Sequence, residues 1–113
     1  MARDPRNYAA QTQLSTSAST IIAAVPDNTK AIIRTLKFNN TGSSTRTVTV
    51  YIVAASPGTA ATTNEAITKA IPAGKTWNVI EAQGEILEPG MTLQAKQDAG
   101  TDVNINCSGA DIT

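Results

Sequence analysis

The sequence predicts an all-β fold: a single antiparallel β-sandwich, jelly-roll-like, of about eight short strands with an extended N-terminal arm. Three observations predict it. Threonine occurs 17 times in 113 residues, and β-branched side chains suit pleated backbone. Five prolines and seven glycines punctuate the chain, leaving short alternating segments spaced roughly ten residues apart, as in sandwiches rather than βαβ units. The length suits one domain with its own core, and neither a repeat nor a linker divides it. The arm is expected at 1–18 and the sandwich at 19–113.

The arm, "MARDPRNYAAQTQLSTSAST" in its full polar stretch, has apolar residues too scattered to define a buried face. Ser19 to Val25 reads as a strand, and "VPDNTK" as a turn with Pro26 at its first corner. In "KAIIRTLKFNN", Ile32, Leu36 and Phe38 share one face with Arg34, an imperfect alternation that a bulge near Ile32 and Ile33 would repair. "NNTGSST" then reads as a hairpin loop into "RTVTVYIVA", where Val48, Val50 and Ile52 oppose Thr47, Thr49 and Tyr51. Ala55 to Asn64 reads as a loop with a Pro-Gly turn. "EAITKAI" reads as a short strand or as one or two turns of helix, since Ala, Glu and Lys favour helix. "IPAGK" fits a type I turn with Pro72 second and Gly74 fourth. The remaining strands are "KTWNVI", "EIL", "MTLQAKQ" and "DVNINCS", with Trp77 and Val79, Met91, Leu93 and Ala95, and Val103, Ile105 and Cys107 turned inward.

Several function classes are excluded. Gly74-Lys75-Thr76 imitates the end of a phosphate-binding loop, but the position that needs the first glycine is Lys69, and a strand follows where a helix should. Nine basic and nine acidic residues balance without runs, so the footprint for direct nucleic-acid binding is missing. The longest apolar run, Val50 to Ala55, is too short to span a bilayer, and charges with a proline occupy the place of a signal peptide's apolar region. There is no histidine, hence no common general base or metal ligand. The lone Cys107 reads as a small core residue. Glu81, Glu85 and Glu88 read as solvated residues around turns, because nothing brings acid, base and stabilising groups together. Asp98 and Asp102 around Gly100 lack the ligand spacing of a calcium loop. Asn39-Asn40-Thr41 and Asn106-Cys107-Ser108 match the glycosylation pattern only as short chance matches. The expectation is a non-enzyme without cofactor or metal.

Phe38 and Trp77 occupy core-like positions. Tyr8 stands in the arm with Arg3 and Arg6 nearby, an aromatic and two arginines of the kind that anchor protein interfaces; a tail that touches nothing is the alternative reading. Removing residues 2–18 is expected to leave folding intact.

The succession "IIRTLKFNNTGSSTRTVTVYIV", "AIPAGKTWNV", "GEILEPGMTLQAK" and "DVNINCSGADIT" resembles small single-domain β-sandwich proteins encoded among the virion genes of tailed bacteriophages. Such chains serve as capsid decoration (cement) proteins or as parts of tails and fibres. The resemblance implies a homo-oligomer, most often a trimer, whose N-terminal arms reach across neighbouring subunits; the matching residues are Arg3, Arg6, Tyr8 and Leu14. It further implies a role on the outer head surface of the virion after synthesis in the host cytoplasm, with the major capsid protein as partner. A tail, baseplate or head-fibre adaptor bound to tail or fibre proteins is the second reading. A carbohydrate-binding module is the third, and it would need an exposed aromatic, for which Tyr51 is the candidate.

Overall fold

The computed structural model describes residues 3–54 and 65–113. Its elements are β1 (Arg3–Gln13), β2 (Ser19–Ile22), β3 (Lys30–Asn40), β4 (Arg46–Val53), β5 (Glu65–Ile71), β6 (Thr76–Asn78), a 3₁₀ turn (Ile80–Ala82), β7 (Ile86–Leu87), β8 (Thr92–Gln97) and β9 (Val103–Ile112). The first sheet runs β1-β9-β3-β6, with β7 also on β3; the second runs β2-β8-β4-β5. Strand neighbours are antiparallel in both sheets. From β1 to β4 the chain changes sheet at each step, and β8 and β9 return between strands already laid down. This interleaving is the jelly-roll form of the β-sandwich.

The polar stretch expected as a free arm is extended, but it is β1, hydrogen-bonded along β9 of the same chain from Arg3 opposite Ile112 to Gln13 opposite Asn104. An edge strand draws its pairing from backbone hydrogen bonds and needs few buried side chains, so polar composition does not keep it out of a sheet. The expected β3–β4 hairpin is also absent: β3 lies in the first sheet and β4 in the second. The connection crosses between the sheets, and Asn40, fully buried, ties it down. Its Nδ2 donates to the carbonyls of Ser44 (2.8 Å) and Ile71 (2.9 Å), and its Oδ1 accepts from the Gly42 N–H (3.0 Å).

The bulge in β3 falls at Arg34, where the register with β9 slips between Ile33 and Thr35. Ala31 and Ile33 before it, and Leu36 and Phe38 after it, therefore all reach the core, while Ile32 faces outward. Across from Ile33 stands Gly109, and a Cβ there would run into the Ile32 carbonyl oxygen. Beside the bulge the edge of the first sheet is broken as well, into β6, the 3₁₀ turn and β7.

"EAITKAI" is a strand, paired with β4 from Arg46–Ile71 to Tyr51–Glu65; ladder pairing outweighs its modest helix preference. In the Pro72–Lys75 turn the Lys75 N–H donates to the Pro72 carbonyl at 3.2 Å, so Pro72 is first rather than second. Gly74 is third at φ 72°, a left-handed value that glycine adopts without strain. The turn at Pro26 closes in the same way on the Thr29 N–H, with Asn28 at φ 60°. The loop expected at 55–64 lies outside the described residues.

Between the sheets Phe38 and Trp77 stack at 5.6 Å between ring centroids, in one core cluster with the fully buried Leu36, Val48, Leu93 and Ile105. The Lys69 ammonium lies 5.2 Å from the Trp77 ring centre, so this edge residue covers the ring while keeping its charge near water. Val103, Ile105 and Cys107 point inward as their alternation requires.

Candidate assembly surface

β1 carries the residues that the sequence singles out, and β9 holds them. The register of the pair slips between Asn7 and Ala9, which leaves Tyr8 as an extra residue bent toward the open end of the sandwich. There the Tyr8 hydroxyl donates to Asp111 Oδ1 at 2.8 Å, and Arg6 Nη1 donates to Asp111 Oδ2 at 2.6 Å. The Arg6 guanidinium also lies 5.9 Å from the Tyr8 ring centre. One carboxylate thus receives two donors from one strand. Burial, reinforced by the hydrogen bond to Asp111 and its negative charge, pushes the Tyr8 hydroxyl above the ordinary tyrosine range, outweighing the opposing effect of Arg6.

Behind this cluster is a recess of about 170 Å³, with Arg6, Tyr8, Asp111 and Ala31 on one wall and Ile22 and Val25 on the other. Its polar groups are already engaged with one another, so it presents no free base or nucleophile.

Leu14 follows β1 and is buried to 1% exposure. Its N–H donates to the Val103 carbonyl (2.9 Å) in the first sheet, and its carbonyl accepts from Gln97 Nε2 (2.6 Å) in the second. The Gln97 N–H donates to the Ser15 carbonyl at 3.0 Å. Leu14 is therefore a bolt between the sheets of its own chain. Arg3 is exposed at the start of β1. Of the four arm residues, Arg6, Tyr8 and Leu14 are engaged within the chain, and Arg3 is presented outward. Sequence reasoning missed Asp111 and Gln97. Gln97 was visible as the inward continuation of Met91, Leu93 and Ala95, but its partner lies 83 positions away.

Among the described residues the other sequence candidates do not converge, and the Glu81 side chain lies outside them. Glu88 pairs with Lys30 at 3.6 Å in a largely exposed contact, and Glu85 is exposed. Asp98 accepts from the Thr47 N–H (3.1 Å) and Asp102 from Arg46 Nε (2.9 Å), so both fasten loops. Among the described residues no three acidic or sulfur ligands gather to hold a metal, and no helix is long and apolar enough to cross a membrane. Cys107 is 1% exposed, and burial pushes its thiol up to about 12. Tyr51 is buried, 5% exposed, so it cannot serve as the aromatic platform a carbohydrate module would need. Among the described residues the large apolar side chains left exposed are Ile80 and Ile86, both on the broken edge beside β3.

The strand order defines the class of fold: a jelly-roll β-sandwich. No family model matches the chain, and no curated protein does. Among solved structures it is similar to a chain in the structure of infectious bursal disease virus, Gx strain, with a TM-score of 0.53 and 15% identity over 97% of this chain and 31% of that one. A chain in the Gt-strain structure of the same virus matches at a TM-score of 0.25, with 12% identity over 97% of this chain and 29% of that one. The protein thus spans about a third of the length of the Gx-strain chain whose fold it shares.

Proposed function

We propose that this protein is a non-enzymatic structural component of a virion, and specifically a capsid decoration protein of a tailed bacteriophage. In this reading it binds the outer lattice of the major capsid protein as a homo-oligomer and stabilises the head. The observation that carries the proposal is the extent of the fold match: 97% of the chain aligns with part of a chain in a virus structure. Fold alone does not assign function. The second support is chemical: the charged side chains of the β1–β9 cluster and of the loops at Asp98 and Asp102 fasten the chain to itself.

The mechanism is linkage. A protein that binds the assembled shell and not its dissociated subunits stabilises the shell in proportion to the logarithm of ligand over Kd. Many copies on a symmetric lattice turn weak individual contacts into firm attachment. Because β1 is part of the sheet, the gripping surface is a preformed rigid face, which lowers the ordering cost of binding.

Quantitative mass spectrometry of purified particles against the major capsid protein tests this. A copy number comparable with that of the major capsid protein supports decoration. A number matching tail or single-vertex symmetry moves the chain to an adaptor of tail, baseplate or fibre, and absence from particles overturns the virion assignment. Addition to emptied, undecorated heads should coat the whole lattice and raise the temperature at which the shells rupture.

A further inference from the structure

The outer face of the first sheet is divided. Strand register places Asn7, Ser108 and Thr35 in one row, and Gln13, Asn104, Asn39 and Thr76 in another. That end is polar. At the other end two adjacent rows differ in kind: Pro5, Ala110, Ile32 and Ile86 lie side by side across four strands, followed by Arg3, Ile112 and Lys30, with Glu88 beside Lys30. Pro5, Ile32, Ile86 and Ile112 are outside the core cluster, and Ile86 is 46% exposed, whereas Ala110 between Pro5 and Ile32 is only 2% exposed. Four apolar residues in one patch on an outer sheet face are more than scattered surface hydrophobics require.

The order of charges across the patch indicates what covers it. Arg3 marks the β1 margin and Glu88 the β7 margin, with the apolar residues between them. Turned about a two-fold axis lying in the interface and parallel to the strands, a second copy presents the same rows in reverse strand order. Arg3 then faces Glu88 of the other copy, Pro5 faces Ile86, and Ala110 faces Ile32. The same rotation sets Ile112 opposite Lys30; the isologous contact is self-complementary in its Arg3 and Glu88 charges and in the apolar row from Pro5 to Ile86, and aligned sheet-on-sheet packing is an ordinary way to bury such a face. We infer that two copies of this chain pair face to face through the apolar end of the first sheet. The pairing goes beyond the virion role, because it is a property of the isolated protein whatever the assembly it joins.

Sedimentation equilibrium of the purified chain over a wide concentration range tests it. The expected result is a reversible dimer, with the weak affinity of a small interface. Ile86→Lys should raise the dissociation constant about tenfold or more. Arg3→Glu and Glu88→Arg should each raise it several-fold, and combining them should restore part of the loss, which is the signature of a direct pair. Arg3 and Glu88 are exposed, so these variants keep the test open if Ile86→Lys does not fold. A monomer at every concentration, a trimer, or charge reversals that add without rescue would overturn the inference. Failure of the dimer would leave the copy number on particles untouched, and the reverse also holds.

Discussion

β9 and β1 lie side by side in one sheet, yet they follow different rules. β9 is paired on both sides and alternates inward and outward from Val103 to Gly109, with Val103, Ile105 and Cys107 at most 1% exposed. β1 is one residue longer but paired on one side only; its register slips twice, and Ala9 is its buried apolar residue. A strand with neighbours on both sides has little freedom in register, because a slip exposes its inner face; β3 bulges at Arg34 where its far neighbour is broken into β6 and β7. An edge strand can bulge, since its unpaired backbone groups meet water. The bulge at Tyr8, the charges and Pro5 also discourage addition of another strand at this margin. The comparison separates two jobs: β9 supplies the core, and β1 closes it.

The largest expected effect tests whether closing matters. Removing residues 2–18 takes away β1 and the Leu14 bolt, so the truncated chain should lose cooperative unfolding in urea, contrary to the expectation of a dispensable arm. Ile105→Ala in β9 should cost about 2–5 kcal/mol by chemical denaturation, from lost burial and the cavity left behind. Both strands contribute to an alkaline loss of stability. The folded chain keeps protons on Cys107 and Tyr8 that the unfolded chain releases near pH 9 and pH 10 respectively. This contribution is complete below those values and is lost as pH rises toward the folded pKa values, with a slope approaching about 1.4 kcal/mol per pH unit for each proton. Cys107→Ala should flatten the lower part of the decline and Tyr8→Phe the upper part, as read from urea midpoints against pH.

Smaller effects sharpen the contrast. Asp111→Asn removes the charge that Arg6 and Tyr8 share; a cost of about 1 kcal/mol is expected, with faster amide exchange in β1 than in β9. Arg3→Ala should leave monomer stability within about 0.5 kcal/mol, so a larger effect on self-association than on melting would separate its outward role from the inward roles of Arg6 and Tyr8.

Much of β9, β8 and the centre of β3 was legible because apolar residues at every second position can satisfy only one buried face. The β3 bulge was legible near Ile32 and Ile33, but its final position at Arg34 was not. It depends on β9, where Gly109 lets the Ile32 carbonyl approach and the register shifts beside it. The β3–β4 crossing escaped for a related reason: two alternating strands joined by a polar loop look alike whether they pair or enter opposite sheets. The cue was Asn40, a buried amide that fastens a crossing. In β1, few apolar residues were read as an extended arm outside the sandwich, although an edge strand needs little more than Ala9 and the following Leu14.

By itself the sequence determined that this chain is an all-β, single-core protein with no histidine chemistry, because strand alternation, turn residues and residue inventory are local properties. Only the tertiary structure decided which strands are neighbours, that the arm is an edge strand, and that Asp111 and Gln97 receive it. Those partners are separated from β1 or Leu14 by most of the chain, and their meeting depends on how two sheets interleave, which no local pattern encodes.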